Sequence, residues 1–417
     1  MRRAAAFLLF AGLLLAWQGG DATAARKAKS KKVPARSADT GSREREKAQA
    51  EERKAVRGYR AALRSNPGDA VAMVRLADAY AAGRGIARDD AEAVRLYRKA
   101  AELGNADGRH AMASRHAAGR GVPKDFSEAV RFARLAAGQG HPQAMSLLGF
   151  LHEQGMGVPK DEAEALSWHR RAAEGGDVPA QKLLAWRHTE GRGVAKDPAE
   201  AAKWYLRAAE GGEADAQERI AAMHLSGTFA AKDDALAVKW YVRAAQGGNP
   251  EGFAKAGRLL LYGRGTAPDA AAAAGWIRKA ADRGVPEGMF LLGVLYAHGR
   301  TVAKDEGEAL AWFRKAASEG YVDALVQLAG MHLEGRGAPE DPSEAASLYR
   351  KAADAGSADA QMMLGWMHEV GRGVPKDLEE SARWLRLAEA QGNAVARDHL
   401  KFLENLNSPA ARPSTGD

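Results

Sequence analysis

The heptapeptide GRGVPKD occupies residues 119–125, returns unchanged at residues 371–377, and appears as GMGVPKD at residues 155–161. We call this stretch and its equivalents the corner, and its first residue the corner glycine. The corner glycine recurs every 36 residues, at Gly83, Gly119, Gly155, Gly191, Gly227, Gly263, Gly299, Gly335 and Gly371. A repeat of this length without insertions indicates a solenoid or a propeller. The segments on either side of the corner decide between the two.

The segment before each corner shows helical periodicity and two columns of small residues. The first small column lies eleven residues before the corner glycine, at Ala72, Gly108, Ala144, Ala180, Ala216, Gly252, Gly288, Ala324 and Ala360. The second small column lies six residues before it, at Ala77, Ala113, Gly149, Ala185, Ala221, Gly257, Gly293, Ala329 and Gly365. Small residues repeated on one face predict a helix that packs closely against its neighbours.

A second helix is predicted after each corner. Its start is marked in all nine copies by an aspartate, at Asp89, Asp125, Asp161, Asp197, Asp233, Asp269, Asp305, Asp341 and Asp377. Glutamate follows three residues later in seven copies, which is typical of an N-cap with a reciprocal capping partner. We expect a tryptophan column seven residues after the aspartate to be core, at Trp168, Trp204, Trp240, Trp276, Trp312 and Trp384. A glycine then ends each copy, as expected past a helix C-terminus.

The corner is not predicted to bind phosphate. A Gly-Lys-Ser/Thr loop requires Ser or Thr after its lysine, whereas Asp125 follows Lys124. A dinucleotide-binding loop requires a third glycine and a preceding strand, and both are missing. An aspartate at a helix start also repels an anion from the positive end of the helix. We therefore interpret the corner as a connector between two helices.

The pattern and its period resemble the Sel-one-like repeat family, a relative of the tetratricopeptide repeats. Residues 144–176 follow the family pattern A-x-x-x-L-G-x-x-Y-x-x-G-x-G-V-x-x-D-x-x-x-A-x-x-W-x-x-x-A-A-x-x-G almost whole. The resemblance covers residues 69–392 and implies an all-α fold, a right-handed α-solenoid of nine helix-turn-helix repeats with helical caps. It also implies an adaptor for other proteins, in bacteria often in the cell envelope. The corners at Gly227-Thr228-Phe229 and Thr301 lack the second glycine, so we expect them to be shaped differently.

The chain is predicted to begin with a secretory signal peptide over residues 1–24. Arg2 and Arg3 precede an apolar stretch that is too short to span a bilayer comfortably. Ala22-Thr23-Ala24 then supplies a small-x-small cleavage site. We expect a periplasmic or secreted protein cut near Ala24. Because basic residues just after that site resist translocation, a protein anchored in the membrane by an uncleaved N-terminal segment is the alternative.

The basic residues are concentrated near the N-terminus. Residues 25–43 are predicted to be a basic disordered linker, followed by an N-terminal capping helix over residues 44–68. The segment 26–64 carries 14 Lys and Arg against 5 Asp and Glu, whereas residues 69–392 carry 42 against 44. This basic arm predicts contact with anionic lipid or another polyanion, or a solvated linker. The nearly neutral repeats are not expected to bind nucleic acid, which requires a surplus of cations.

Modified helices are expected at both ends of the array, because a solenoid must cover its exposed terminal core. The N-terminal capping helix has a predicted buried stripe of Val56, Tyr59 and Leu63. A C-terminal capping helix is predicted over residues 393–406, with a disordered tail over residues 407–417. Its predicted buried stripe is Val395, Leu400 and Leu403.

Histidine offers the strongest candidate for metal chemistry. Six of the 11 histidines form a column three residues before the corner glycine, at His116, His152, His188, His224, His332 and His368. Packed helices lie about 8–10 Å apart, so neighbouring members cannot share a zinc ion, whose ligands lie about 2.1 Å away. We interpret this histidine column as structural, with pH sensing as the alternative. The chain has no cysteine and no catalytic motif, so we predict no metal, no cofactor and no enzymatic activity.

The first helices carry the candidate binding residues. By resemblance to tetratricopeptide units, the first helix of each repeat lines the concave side. Its non-framework positions lie nine, five and two residues before the corner glycine, and there the copies differ from one another. Large apolar residues at these positions are Phe150, Trp186, Leu225, Leu261, Phe290, Leu333, Met362 and Trp366. They act either as anchors for a partner or as packing against the adjacent first helix. Our candidate partner-binding residues are Phe150, Trp186, Phe290, Met362 and Trp366.

These observations predict an exported, non-enzymatic scaffold in the bacterial cell envelope that binds a protein or peptide on its concave face. An envelope protein that contacts glycan or peptidoglycan is the alternative, because Trp, Asp and Arg on such a face also hold sugars. A hydrolase is a third hypothesis, for which no clustered acid or nucleophile is found.

Overall fold

The computed structural model describes residues 36–228 and 231–407, and this part of the chain contains 20 α-helices and no strand. The helices are α1 Arg36–Ser65, α2 Ala70–Ala82, α3 Asp90–Glu102, α4 Ala106–Ala118, α5 Phe126–Ala137, α6 Pro142–Gln154, α7 Glu162–Glu174, α8 Val178–Glu190, α9 Pro198–Glu210, α10 Ala214–Ser226, α11 Asp234–Gln246, α12 Pro250–Tyr262, α13 Ala270–Asp282, α14 Pro286–His298, α15 Glu306–Ser318, α16 Val322–Glu334, α17 Pro342–Asp354, α18 Ala358–Val370, α19 Leu378–Ala390 and α20 Ala394–Asn407. The predicted signal peptide and C-terminal tail lie outside the described residues, except for Asn407 at the end of α20. None of the described helices combines the length and apolar character needed to cross a membrane.

The helices alternate in the predicted order, with the first helix of each repeat carrying an even number from α2 to α18. The chain divides into two compact units, Met1–Ala208 and Ala209–Asp417. Within each unit a first helix packs against the second helix of its own repeat and against the second helix of the repeat before it. First helices of successive repeats also touch, as α4 and α6 do in the first unit and α12 and α14 in the second. The all-α prediction is confirmed, and the arrangement is that of an α-solenoid.

The corner ends the first helix and packs against the second helix of the preceding repeat. The corner glycines at the ends of the first helices take the left-handed conformation, with φ between 66° and 76°. The second glycine also has positive φ, but its main constraint is space. A Cβ at Gly121 would lie 2.7 Å from the carbonyl oxygen of Asp90, at the start of the previous second helix. Gly373 is similarly close to the carbonyl of Pro342. A side chain at these positions would push the two repeats apart.

Thr301 replaces the second glycine at one corner, and there the sequence-based expectation is wrong. Thr301 has φ 64°, the same left-handed conformation as the glycine that it replaces. A non-glycine residue in this conformation costs about 1–2 kcal/mol, so the surrounding contacts must hold the backbone in place. At the other exceptional corner, Phe229 lies outside the described residues.

The aspartate after each corner caps the second helix. In all nine repeats its side chain accepts a hydrogen bond from a backbone N–H of the first turn, as Asp161 does from Glu164 at 2.9 Å. The reciprocal partner is different from the one predicted. The backbone N–H of Asp161 donates to the carbonyl of His152 at 3.0 Å, so it is not available to the glutamate. The glutamate instead pairs with a cation three residues later in four repeats, for example Glu128 with Arg131.

The two small columns face two different second helices. A Cβ at Gly108, in the first small column, would lie 2.8 Å from the Cβ of Ala100 on the preceding second helix. A Cβ at Gly293, in the second small column, would lie 2.7 Å from the ring of Phe313 on the second helix of its own repeat. The helices are therefore in contact on both sides at distances that only glycine or alanine allows.

The residue opposite the second small column comes directly after the tryptophan position. We call it the partner column, and its members are Tyr97, Ala133, His169, Tyr205, Tyr241, Ile277, Phe313, Tyr349 and Leu385. All are buried except Tyr205, which is half-buried. The whole tryptophan column was predicted to be core. Trp204, Trp240 and Trp384 are buried as predicted, whereas Trp168, Trp276 and Trp312 are half-buried. Each tryptophan has a basic side chain over its ring, as Lys315 has over Trp312 at 3.7 Å.

Both ends of the array carry capping helices, with two corrections. Helix α1 begins at Arg36 and not at residue 44, so the predicted linker is helical from residue 36 onwards. The sequence of α1 contains many charged residues and no proline, and most of its residues from Arg45 onward are exposed. Its predicted stripe of Val56, Tyr59 and Leu63 does pack on the hydrophobic core formed by α2, α3 and α4. In α20, Leu400 and Leu403 are buried, but Val395 is 51% exposed.

The close approach between the second small column and the partner column gives a stability prediction. Gly293→Val inserts branched bulk against Phe313, and we expect the free energy of unfolding of the second unit to fall by about 1–3 kcal/mol or more. Gly275 is the matched control, because a Cβ there meets nothing within 4 Å. Gly275→Val should change stability by less than about 1 kcal/mol. Urea unfolding and hydrogen exchange measure both. Equal losses in the two variants would contradict the packing described.

Candidate interaction surface on the first helices

The first helices divide into buried and half-exposed columns. Their two small columns are committed to contact with second helices, as described above. The positions nine and five residues before the corner glycine are one helical turn apart and share another face. We call these the minus-nine and minus-five positions, and together they form the candidate surface. None of the five predicted anchors is fully exposed or fully buried.

The predicted anchors have one side packed and one side open. Phe290 and Trp366 pack against the core of the second unit, and Met362 packs against the cluster below the C-terminal cap. The ring of Phe290 lies 5.2 Å from that of Tyr321 and 5.7 Å from that of Phe313. In the first unit, Phe150 and Trp186 are half-buried on α6 and α8. Arg192 lies over the Trp186 ring at 5.1 Å.

In two repeats of the second unit, the residue two positions before the corner glycine is buried. Leu261 and Leu333 are each 5% exposed and lie inside core clusters of the second unit. Of the two interpretations left open for these leucines, their burial supports packing, because at this point the first helix turns them toward the framework. Leu225 is half-buried.

A polar depression at the start of the array was not predicted. It has a volume of about 210 Å³ and lies between α2 and α4. Its lining residues are Val74, Arg75, Asp78, Asp107, His110, Ala111 and Ser114. The hydroxyl of Tyr97 donates a hydrogen bond to Asp78 at 2.6 Å and so fixes one wall. The signal in the sequence was the polar character of three of the four minus-nine and minus-five positions in these two repeats, Asp78, His110 and Ser114.

Two stacked histidines lie beside this depression. The rings of His110 and His141 have centroids 4.6 Å apart. Nδ1 of His141 accepts a hydrogen bond from the backbone N–H of Ala144, so this histidine acts as the N-cap of α6. Its Nε2 is 3.2 Å from Asp107. Burial, with the neighbouring imidazole of His141 as the second cause, lowers the pKa of His110 to about 4. His110 is therefore neutral at pH 7.

Two carboxylates, one buried and one half-buried, hold adjacent repeats together. In the second unit Glu287 is 5% exposed, and it pairs with Lys255 and with Arg258, the latter at 3.2 Å. In the first unit Glu153 pairs with Arg187 at 2.7 Å and lies 3.8 Å from the buried His169. Burial raises the pKa of Glu153, but contacts with His169 and Arg187 more than offset this and leave it below its usual value. The ion pairs of Glu287 and Glu153 therefore join first helices of adjacent repeats.

The histidine column contributes mainly through its backbone. Each of its six carbonyls accepts the N–H of the aspartate that caps the next helix, as His368 accepts from Asp377 at 2.9 Å. Nδ1 of each of the six rings is buried and has no hydrogen-bond partner among the described residues. His116 also stacks on Phe132, with centroids 5.8 Å apart. The column is placed as framework, and pH sensing by it stays a prediction.

Comparison with known proteins agrees with this architecture. The model of the Sel1 repeat matches the chain nine times, at residues 70–105, 106–141, 142–177, 178–213, 214–249, 254–285, 286–321, 322–357 and 358–393. A Sel1 repeat protein from Oxalobacter formigenes is 30% identical, with a TM-score of 0.51, and the match covers 74% of this chain and 90% of that one. No curated protein matches the chain.

Two further solved structures are similar at lower TM-scores. One is a protective antigen from uropathogenic Escherichia coli strains that displays an SLR fold, with 26% identity, a TM-score of 0.44, and coverage of 85% of this chain and 91% of that one. The other is yeast Tom70, with 15% identity, a TM-score of 0.35 and coverage of 84% of each chain.

The stacked histidine pair gives a prediction for pH dependence. Because the folded pKa of His110 is depressed from 6.5 to about 4, its stabilising contribution is present above pH 6.5 and is lost as the pH falls toward 4. We expect helices α2 and α4 to lose roughly 2–3 kcal/mol of opening free energy over this range. Hydrogen exchange, corrected for intrinsic rates, measures this. His110→Gln should remove most of the loss, whereas exposed His298→Gln should not. An unchanged loss in His110→Gln would contradict the assignment.

Proposed function

The chain belongs to the Sel1 repeat family, and from this premise we propose that it is a non-enzymatic scaffold that binds a protein or peptide partner on the face formed by its first helices. Sel1 and tetratricopeptide-like repeat folds are commonly scaffolds for protein–protein interaction and are typically non-catalytic. The proposal adds the face and the residues that make the contact. It retains Phe150, Trp186, Phe290, Met362 and Trp366 as the anchors.

The observation that carries the proposal is that the first helix has buried faces that pack on second helices and a separate, half-exposed face. The small columns are buried and nearly constant from repeat to repeat, because a larger side chain would collide with a second helix. The minus-nine and minus-five positions are chemically different in each repeat, and the anchors there are half-exposed. Half-exposed aromatic and methionine side chains on a rigid support already have restricted conformations. They therefore lose little entropy when a partner covers them.

The proposed location is the periplasm or the extracellular space. It rests on the N-terminal sequence, residues 1–24, and the basic arm that follows would then lie where it can meet anionic lipid headgroups. We expect the mature protein in an envelope fraction to begin near Ala25. N-terminal sequencing of that fraction checks this. An intact Met1 on a membrane-bound product would instead support the uncleaved anchor.

Site-specific crosslinking tests the proposed face. A photoreactive phenylalanine analogue placed at Phe150 or Val326, on first helices, should crosslink a partner when expressed in the native cell. Leu135 and Leu387 are matched controls, because both are exposed apolar residues on second helices. They should not crosslink the same partner. Crosslinks from the second-helix positions alone would contradict the proposal, and crosslinking to glycan instead of protein would support the alternative.

Trp186→Ala tests the energetic role of one anchor in the first unit. Truncating an aromatic hot spot typically costs about 2–4 kcal/mol, or roughly a 30- to 1,000-fold loss of affinity. Because Trp186 is half-buried, we expect the melting temperature to fall by only a few degrees. Titration of the crosslinked partner and a thermal melt separate the two effects. A large fall in melting temperature with unchanged affinity would identify Trp186 as a packing residue.

A further inference from the structure

Three successive repeats of the second unit carry no charge at the surface positions. These positions are Phe290 and Val294 on α14, Val326 and Gly330 on α16, and Met362 and Trp366 on α18. All six residues are half-buried. Elsewhere in the array the same positions include Asp78, His110, Lys182, Glu218 and Arg258. We call these six residues the apolar plate.

Most residues of the plate rest on the same part of the hydrophobic core. Phe290, Val294, Val326 and Trp366 all pack against a single core cluster of the second unit. The contact of Phe290 with Tyr321 also ties α14 to the residue that precedes α16. The outer sides of these residues therefore have fixed positions relative to one another.

Gly330 leaves a notch in the middle of the plate. It lies within α16, between Val294 and Trp366 of the neighbouring repeats in the minus-five position. A Cβ built at Gly330 would meet only the hydroxyl of Tyr349, at an ordinary distance of 3.5 Å. This differs from the glycines of the small columns, where a Cβ would collide with the framework. The helix does not require glycine here, and the space above it is open to a side chain from outside.

One edge of the plate is acidic. Asp323 lies one helical turn before Val326, and Asp359 lies one turn before Met362, so each carboxylate borders the plate. Both residues are exposed. Asp359 accepts a hydrogen bond from the neutral amide of Asn393 at 3.3 Å. Within the described ranges, neither aspartate forms an ion pair with lysine or arginine.

From this juxtaposition we propose that the apolar plate binds an amphipathic helix of a partner protein, with a large apolar side chain in the Gly330 notch and basic residues beside Asp323 and Asp359. The proposal rests on the proposed function and specifies its partner class. Successive first helices lie about 8–10 Å apart, and residues seven apart on a helix are separated by about 10.5 Å. A partner helix that crosses the three repeats therefore places apolar residues at i, i+7 and i+14 over the successive first helices, with those at i+3, i+4 and i+11 on the same face.

The test uses the full chain and a synthetic fluorescent peptide of about 18 residues. The probe carries leucine at i, i+3, i+4, i+7, i+11 and i+14 and lysine along one flank, and its binding is followed by fluorescence anisotropy. One control peptide replaces each lysine with glutamate, and another scrambles the same composition so that the leucine stripe is lost. We expect the basic amphipathic peptide to bind with a dissociation constant below about 100 μM. Both control peptides should bind at least about tenfold more weakly.

Two protein variants locate the binding. Gly330→Leu fills the notch and should weaken the basic peptide by about tenfold or more, whereas Gly275→Leu, on exposed α13 surface, should not. Asp323→Asn combined with Asp359→Asn should weaken binding by roughly 3- to 10-fold and reduce its dependence on salt. These aspartates are exposed, so the double variant keeps the test valid if Gly330→Leu proves unstable in a thermal melt.

Three results would overturn the proposal. They are no saturable binding of the basic peptide up to about 1 mM, equal binding of the glutamate peptide, or wild-type affinity in both protein variants. The crosslinking experiment distinguishes this failure from failure of the proposed function. A partner captured from Phe150 but not from Val326 would leave the first-helix face as the binding surface and exclude the apolar plate.

Discussion

The structure depends on one close contact, between the second small column of the first helix and the partner column of the second helix. At Gly149 a Cβ would lie 2.6 Å from the ring of His169, and at Gly257 it would lie 2.6 Å from Ile277. Interiors packed at this density transmit any extra volume to the backbone. The contact therefore fixes both the distance and the register of the two helices. With the register fixed, the corner always reaches the same point of the preceding repeat, which explains why every interval is 36 residues.

This constraint also separates framework from surface. Two faces of the first helix are used for contact with second helices, so the remaining face can vary without changing the fold. The array presents different chemistry along its length, with a polar depression on α2 and α4 and an apolar plate on α14, α16 and α18. A repeat protein can thus evolve a recognition surface by single substitutions, because each repeat contacts mainly its neighbours.

Two sets of ion pairs with buried members join the first helices of adjacent repeats. Glu287 on α14 pairs with two cations of α12, and Glu153 on α6 pairs with Arg187 on α8. Removing one partner from such a group leaves a buried charge without compensation, which is strongly destabilising. These pairs therefore specify which first helices lie side by side. The small columns cannot supply this information, because they are nearly the same in every repeat.

The sequence by itself determined the period, the positions where helices start and stop within the repeats, the aspartate N-caps and the left-handed corner glycines, because these follow from local backbone geometry and hydrogen bonding. It also determined which columns must be small. Only the tertiary structure decided which neighbour of each tryptophan is fully buried, since adjacent residues on a helix point about 100° apart and both look apolar. The same holds for the exposure of Val395, the burial of Leu261 and Leu333, and the carbonyl that replaces the predicted glutamate at the N-cap. Each depends on which other segment lies opposite, and that is a property of the packed array and not of any one repeat.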